Sequence, residues 1–377
     1  MQHSQVMTEC KNKYAVLCGF GAYDRSYSQV RSTEQSSHIY STKRKDTAMF
    51  SRKIAGAALA AAALALVMTG CTSPSAAPDS GNAAEGASSD IKICVYTHGD
   101  GGTFWAVAQK GAEDAAASLG VTLDYQGSTN DSAKQASTID AGVRGGCDGI
   151  AASAPDPGAI TDAMLAAADA GIPTVTVNSG SAVFKDLGAF THVGQDEIVA
   201  GREAGLKFND LGATKILCPI QEAANSGLTD RCAGAAETFS GEVVQFNVDG
   251  ALADLTGAEA KIRAALQADG AIDGVFALNS DVATGAVIPA VAAVNPDIIV
   301  GTVDLSSDAL TAISDKTLAF AIDQQQYAQG YLAVELLYLA VKDAIKLGGG
   351  QPMYTGPAFV TADNVEAVRA SVEAGTR

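Results

Sequence analysis

Polar side chains that close apolar, β-branched runs are the first residues in this sequence with chemistry to offer. Asn178 ends one such run, Asn279 a second, Asp304 a third and the pair Asp323-Gln324 a fourth. Where strands run parallel, their carboxyl ends open onto the crevice in which ligands bind, so these positions are candidate contacts. Amides donate and accept hydrogen bonds and carboxylates accept them, a set that matches hydroxyl groups. A Gly-rich loop from His98 through Asp100 to Thr103 leads into Phe104 and Trp105. Aromatic rings of this kind cover apolar C–H faces, so aromatics and strand-end polar groups together suit a small polyhydroxylated ligand, with His98 and Asp100 as further loop contacts. Local roles compete with these. Asn279 could cap a helix beginning at Asp281, Asp304 one beginning near Ser306, and His98 fits a surface as well as a cleft. Phe104 and Trp105 are adjacent on a helix and cannot share a face, so Trp105 is expected in the core and Phe104 in the cleft.

Other chemistries find little support. The loop Gly99-Asp100-Gly101-Gly102-Thr103-Phe104 fails the G-x-G-x-x-G pattern of dinucleotide sites. Beyond Cys71 the only histidines are His98 and His192, with no Ser/His/Asp arrangement, no C-x-x-C and no paired histidines. No catalytic residue, metal or cofactor is expected.

The elements that must position these residues alternate. Strand-like runs span Ile91 to Thr97, Val121 to Tyr125, Gly149 to Ser153 and Pro173 to Asn178. A second set spans Lys215 to Ile220, Glu242 to Val248, Gly274 to Asn279, Ile298 to Asp304 and Leu318 to Asp323. Ala-rich amphipathic segments lie between them, among them Phe104 to Leu119, Ala159 to Ala170, Ala258 to Ala268 and Tyr327 to Leu347. Near-continuous apolar strands separated by such helices imply an α/β chain with two parallel sheets, each covered on both faces. The 287 residues from Ile91 onward are enough for two cores.

Ahead of these elements the sequence reads as an export signal. Arg52 and Lys53 precede a 14-residue apolar run from Ile54 to Val67, followed by Met68-Thr69-Gly70-Cys71. Residues 49–70 are expected to be a lipoprotein signal peptide with Cys71 acylated, anchoring the chain to the outer face of the membrane. Residues 1–48 read as a non-native or disordered extension, and residues 71–90, rich in Ser, Ala, Pro and Gly, as a flexible tether. Nine of the 25 basic residues but only four of the 42 acidic ones precede Cys71. The acidic remainder argues against nucleic acid, whose phosphates need Lys and Arg. Four cysteines remain, and an even number in an exported domain suggests disulfides, of which four cysteines allow three pairings. Cys94 in the first strand neighbours Cys147 at the start of the third in a common doubly wound order, and Cys218 and Cys232 flank one strand-to-helix connection. The expected pairs are therefore Cys94 with Cys147 and Cys218 with Cys232.

Over residues 91 to 370 the sequence resembles the type I periplasmic binding proteins of the ribose and galactose class. The resemblance rests on Thr97 to Trp105, Ser153-Ala154-Pro155-Asp156-Pro157, Ala170-Gly171-Ile172-Pro173, Val275 to Asp281 and Val300 to Asp304, taken in that order and spacing. It implies two doubly wound lobes joined by a three-stranded hinge, one lobe from 91–194 with 325–349 and the other from 195–324 with 350–377. It also implies that Arg231, Asn279, Asp304 and Gln324 are polar ligand contacts and that Phe104 or Trp105 stacks on the ligand. The implied function is capture of a sugar or polyol for the permease of an ABC importer, by a monomer that catalyses nothing. A sugar-sensing receptor subunit and a binder of a non-sugar molecule are the alternatives. The sequence departs from the family at the fourth strand, where Asn178-Ser179 stands in place of a charged Asp-Arg pair, so a short polyol or furanose is as well matched as an aldopyranose.

Overall fold

The computed structural model describes Asp90–Arg377. The expected signal peptide, Cys71 and all of the tether but Asp90 lie outside the described residues. Six strands make the first sheet: β1 (Lys92–Thr97), β2 (Thr122–Gly127), β3 (Gly149–Ala152), β4 (Thr174–Asn178), β5 (Thr191–Gly194) and β11 (Met353–Tyr354). Six make the second: β6 (Lys215–Ile220), β7 (Glu242–Asn247), β8 (Gly274–Ala277), β9 (Ile299–Val303), β10 (Phe320–Asp323) and β12 (Ala358–Val360). The orders are β11-β5-β4-β3-β1-β2 and β12-β10-β9-β8-β6-β7, so the second sheet repeats the first. All pairings are parallel except β12 with β10.

Both faces of each sheet are buried. Along β1, Ile93 and Val95 pack toward Ala112 and Leu337 on one side, and Cys94 and Tyr96 toward Ile139 and Met164 on the other. This two-residue alternation into two apolar layers is why β1 reads as continuously hydrophobic. In the first lobe the helix Gly102–Leu119 lies against Gln326–Asp343, where a Cβ on Gly111 or Gly330 would meet the other helix's backbone. Gly201 and Gly234 do the same for the helices Glu197–Leu211 and Ser226–Thr238 of the second lobe.

The chain passes between the sheets three times: after β5, after β10 and between β11 and β12. The third passage was expected near Gly350 but comes after Tyr354, because Met353 and Tyr354 pair with Val193 and Gly194 of the first sheet. The helix expected to run to Leu347 stops at Asp343. Ala344 turns left-handed there, and Gly348, Gly349 and Gly350, all at positive φ, carry the chain away. The three passages are bonded together: Thr355 N–H donates to Gly194 O at 2.7 Å, and Thr355 Oγ1 donates to Gln324 O at 2.7 Å.

Both expected disulfides are present, Cys94–Cys147 with Cα atoms 5.9 Å apart and Cys218–Cys232 at 6.1 Å. The second pins the helix Ser226–Thr238 onto β6. Replacing Cys218 and Cys232 together by Ala is expected to lower the unfolding free energy by about 3 kcal/mol, the loop-closure value for a bridge of this span, measured by denaturant titration of the oxidised proteins.

Candidate ligand-binding cleft

The repeated sheet order places equivalent strand ends opposite each other across the space between the lobes. Asn178 ends β4 and Asp304 directly follows β9, and both are held at positive φ, 64° and 74°. Asn and Asp are among the non-glycine residues that enter this region most readily, which suits the tight turn out of each strand. Asp304 is 3 % exposed, and its Oδ1 accepts from Gln324 Nε2 at 2.6 Å while Oδ2 accepts from Asn279 Nδ2 at 3.1 Å. Gln324 Oε1 in turn accepts from Asn178 Nδ2 at 3.4 Å. Asn279, Asp304, Gln324 and Asn178 thus form one chain of side-chain hydrogen bonds that joins both lobes at the second interlobe passage. Burial pushes the Asp304 carboxyl up to about 7, against the opposing pull of Arg231 and Gln324.

Asn279 fills both roles open to it. Its Oδ1 caps the short helix that follows by accepting from Asp281 N–H and Val282 N–H, while its Nδ2 reaches Asp304. Asp304 is not a cap, because Ser306 Oγ accepts from Ala309 N–H in that place.

Arg231 comes from the helix Ser226–Thr238, one residue before the disulfide at Cys232. Its Nε donates to Glu197 Oε2 at 2.5 Å, Nη2 to Glu197 Oε1 at 3.1 Å and Nη1 to Leu278 O at 2.8 Å. A guanidinium has five N–H donors, so the three bonds leave one on each terminal nitrogen for a ligand. Glu197 opens the helix that follows the first interlobe passage and also accepts from Gln195 Nε2 at 2.9 Å. Burial raises its carboxyl above the usual range, with Arg231 opposing.

Phe104 and Trp105 both line the cleft, in a T-shaped pair with centroids 4.8 Å apart. Both are also buried, in one small apolar cluster with Ala108, so the expected division of Trp105 to the core and Phe104 to the cleft is not seen. Both residues sit in the first turn of a helix whose side chains lean back toward its N-terminus, which is the end that faces the cleft. His98 packs edge-on to Trp105 and bonds Ser153 Oγ through Nδ1 at 2.8 Å, with Nε2 3.7 Å from Glu222 of the other lobe. Asp100 is exposed, accepts from Thr129 Oγ1 at 2.7 Å and lies outside the inner cleft.

The sequence did not single out Gln221, Glu222, Asn225 and Leu252, which also line the cleft, or Glu197 behind it. Gln221 and Glu222 follow the end of β6 as Ser179 follows the end of β4 at Asn178, so the strand-end rule applied to every strand would have found them. The lining surrounds about 440 Å³ free of protein atoms, counting the part open to solvent. The lobes also touch directly. Thr103 N–H donates to Asp281 Oδ2 at 2.8 Å, and Ser226 donates to Pro155 O through N–H at 3.1 Å and Oγ at 2.9 Å. The helix Gly102–Leu119 has no side-chain cap of its own, so Asp281 supplies one from the other lobe.

Comparison with known proteins decides what kind of cleft this is. Residues 93–344 match the periplasmic binding protein domain. The chain belongs to the periplasmic binding protein family. As a periplasmic binding protein it is a solute-binding protein that acts outside the cytoplasm, and the family consists of binding proteins rather than enzymes. A carbohydrate transporter from Acidothermus cellulolyticus 11B, solved in complex with myo-inositol, is 39 % identical, with a TM-score of 0.74 over 77 % of this chain and 100 % of that one. The ribose import binding protein of Bacillus subtilis is 28 % identical over 62 % of this chain and 75 % of its own length. A xylose/arabinose-binding protein of Sulfolobus acidocaldarius is 24 % identical over 73 % of this chain and 72 % of its own.

The raised Asp304 carboxyl sets a pH dependence in the ligand-free protein. Its folded value lies above its unfolded one, so between the two the unfolded chain holds fewer protons and stability falls as pH rises, with the full cost reached above about 7. Ligand-free Asp304→Asn is expected to melt above the parent protein at pH 8, with the gap narrowing toward pH 4, as read by scanning calorimetry.

Proposed function

We propose that this periplasmic binding protein captures a neutral polyhydroxylated ring, with myo-inositol as its representative, and delivers it to the permease of an ABC importer. The observation that carries this reading is the chain Asn279–Asp304–Gln324–Asn178 beside the free N–H groups of Arg231, under the rings of Phe104 and Trp105. These groups supply acceptors and donors in alternation around an apolar cover, which suits a ring with a hydroxyl on each carbon. The 39 % identical Acidothermus protein with bound myo-inositol supports the choice, as does the absence of a charged pair at the end of β4, where Asn178 and Ser179 stand.

Binding works by population shift. A ligand that touches both lobes favours the closed arrangement by the difference in its affinity for the two forms. A ring lacking one of its hydroxyls leaves a buried group unpaired, at a cost of about 1–3 kcal/mol, which gives the site its selectivity. The signal-like residues 49–70 and Cys71 support a lipid anchor that presents the cleft outside the membrane.

Isothermal titration calorimetry against myo-inositol, D-ribose, D-galactose and an amino acid tests the reading. Saturable binding of myo-inositol, lost by at least about 100-fold in Asp304→Ala, is the expected result, because a charged hydrogen-bonding partner is removed. Tighter binding of the amino acid than of any polyol would overturn it.

A further inference from the structure

The inner cleft does not end at its own lining. A larger chamber, with about 1,240 Å³ free of protein atoms including the part open to solvent, continues from it and shares Gly101, Trp105, Gln221, Glu222 and Leu252 with it. Gln221 stands at the junction. It is 4 % exposed, and its Oε1 is buried with no hydrogen-bond partner. A buried acceptor without a donor is costly, and it is satisfied by a ligand that brings one.

The rest of the chamber asks for the same kind of group. Its charged residues are Asp100, Glu222 and Asp249, and no Lys, Arg or His lines it. Asp100 Oδ2 accepts from Thr129 Oγ1 at 2.7 Å, Asp249 Oδ1 from Ala223 N–H at 2.9 Å and Glu222 Oε2 from Asn225 Nδ2 at 2.7 Å. Each carboxylate keeps its other oxygen for a further donor, and Glu222 Oε2 also lies 3.7 Å from His98 Nε2 of the inner cleft. An amide oxygen and three carboxylates, all accepting, complement a group that only donates and carries positive charge, which is a protonated amine.

We propose that the chamber is a second subsite of the cleft, taking the amine of a substituent carried by the polyol ring. The inner site holds the ring, and the substituent passes Leu252 and Trp105 to place its ammonium against Gln221 and the carboxylates. This rests on the polyol reading of the inner site, and the probes below separate the two.

The test is calorimetric titration of the purified protein with myo-inositol, with glucosaminyl-myo-inositol and with glucosyl-myo-inositol, in which a hydroxyl replaces the amine, keeping the size and losing the charge. The amine is expected to bind about tenfold more tightly than the hydroxyl compound at low salt, with the advantage shrinking as salt screens the exposed carboxylates. Asp249→Asn should reduce that advantage severalfold while leaving myo-inositol affinity unchanged. Equal affinity of the two substituted compounds, or weaker binding of both than of myo-inositol, overturns the subsite and leaves the inner-site reading standing. Binding of the amine without binding of myo-inositol supports the chamber and overturns myo-inositol as the representative ligand. Failure of all three compounds overturns both.

Discussion

Arg231 is a full positive charge with almost no water around it, and the cleft is organised by how that charge is compensated. An unpaired buried ion costs several kcal/mol, so the guanidinium needs its counter-charge where it stands. Glu197 supplies it through two bonds, Leu278 O takes a third, and the Cys218–Cys232 disulfide holds the helix that aims the side chain. Asp304 is near enough to feel the same positive charge, yet burial outweighs it and the carboxyl stays high. Two groups are thus left short of partners, a guanidinium with spare N–H donors and a carboxylate that wants more donors around it. A polyol offers both kinds of partner through each hydroxyl.

The same residues tie the site to the passages between the lobes. Glu197 comes three residues after Gly194, where β5 ends, Gln324 lies in the second passage, and Thr355 in the third bonds both Gly194 O and Gln324 O. Glu197 and Arg231 stay paired within the second lobe, and the link of this set to the first lobe runs through Asn178 Nδ2, which donates to Gln324 Oε1. Ligand binding and lobe movement draw on one set of hydrogen bonds, which is the physical content of closure in a two-lobed binding protein. Asp281 adds to this from the rim. Its carboxylate meets Thr103 N–H at a helix start only when the lobes are together, and its own N–H is held by Asn279 on the cleft floor.

Much of this was readable in the sequence, for reasons that also explain the gaps. Asn178, Asn279, Asp304 and Gln324 stand out because each breaks an apolar run at the end of a buried parallel strand, a pattern with few other causes. The cysteines paired as expected because strand order brings Cys94 beside β3 and connection length keeps Cys218 near Cys232. Trp105 was misjudged because helical spacing says which residues share a face but not that a whole first turn faces a cleft. Glu197 follows a passage whose strand, β5, has four residues and no long apolar run, so nothing local marks it as the partner of a residue 34 positions away. β11 and β12 are shorter still, with two and three residues, and exist by pairing with β5 and β10 rather than by their own composition. That is why the third passage was placed too early. Leu252 lies in a loop and reaches the cleft only through the meeting of the lobes.

The central claim is that a ring bound between Asp304, Arg231 and the Phe104–Trp105 pair holds the two lobes together. Small-angle X-ray scattering of the protein with and without saturating myo-inositol tests it most directly. A fall in radius of gyration on adding ligand, absent in Asp304→Ala at the same ligand concentration, is the predicted result. Saturation by calorimetry with no change in radius of gyration would contradict it.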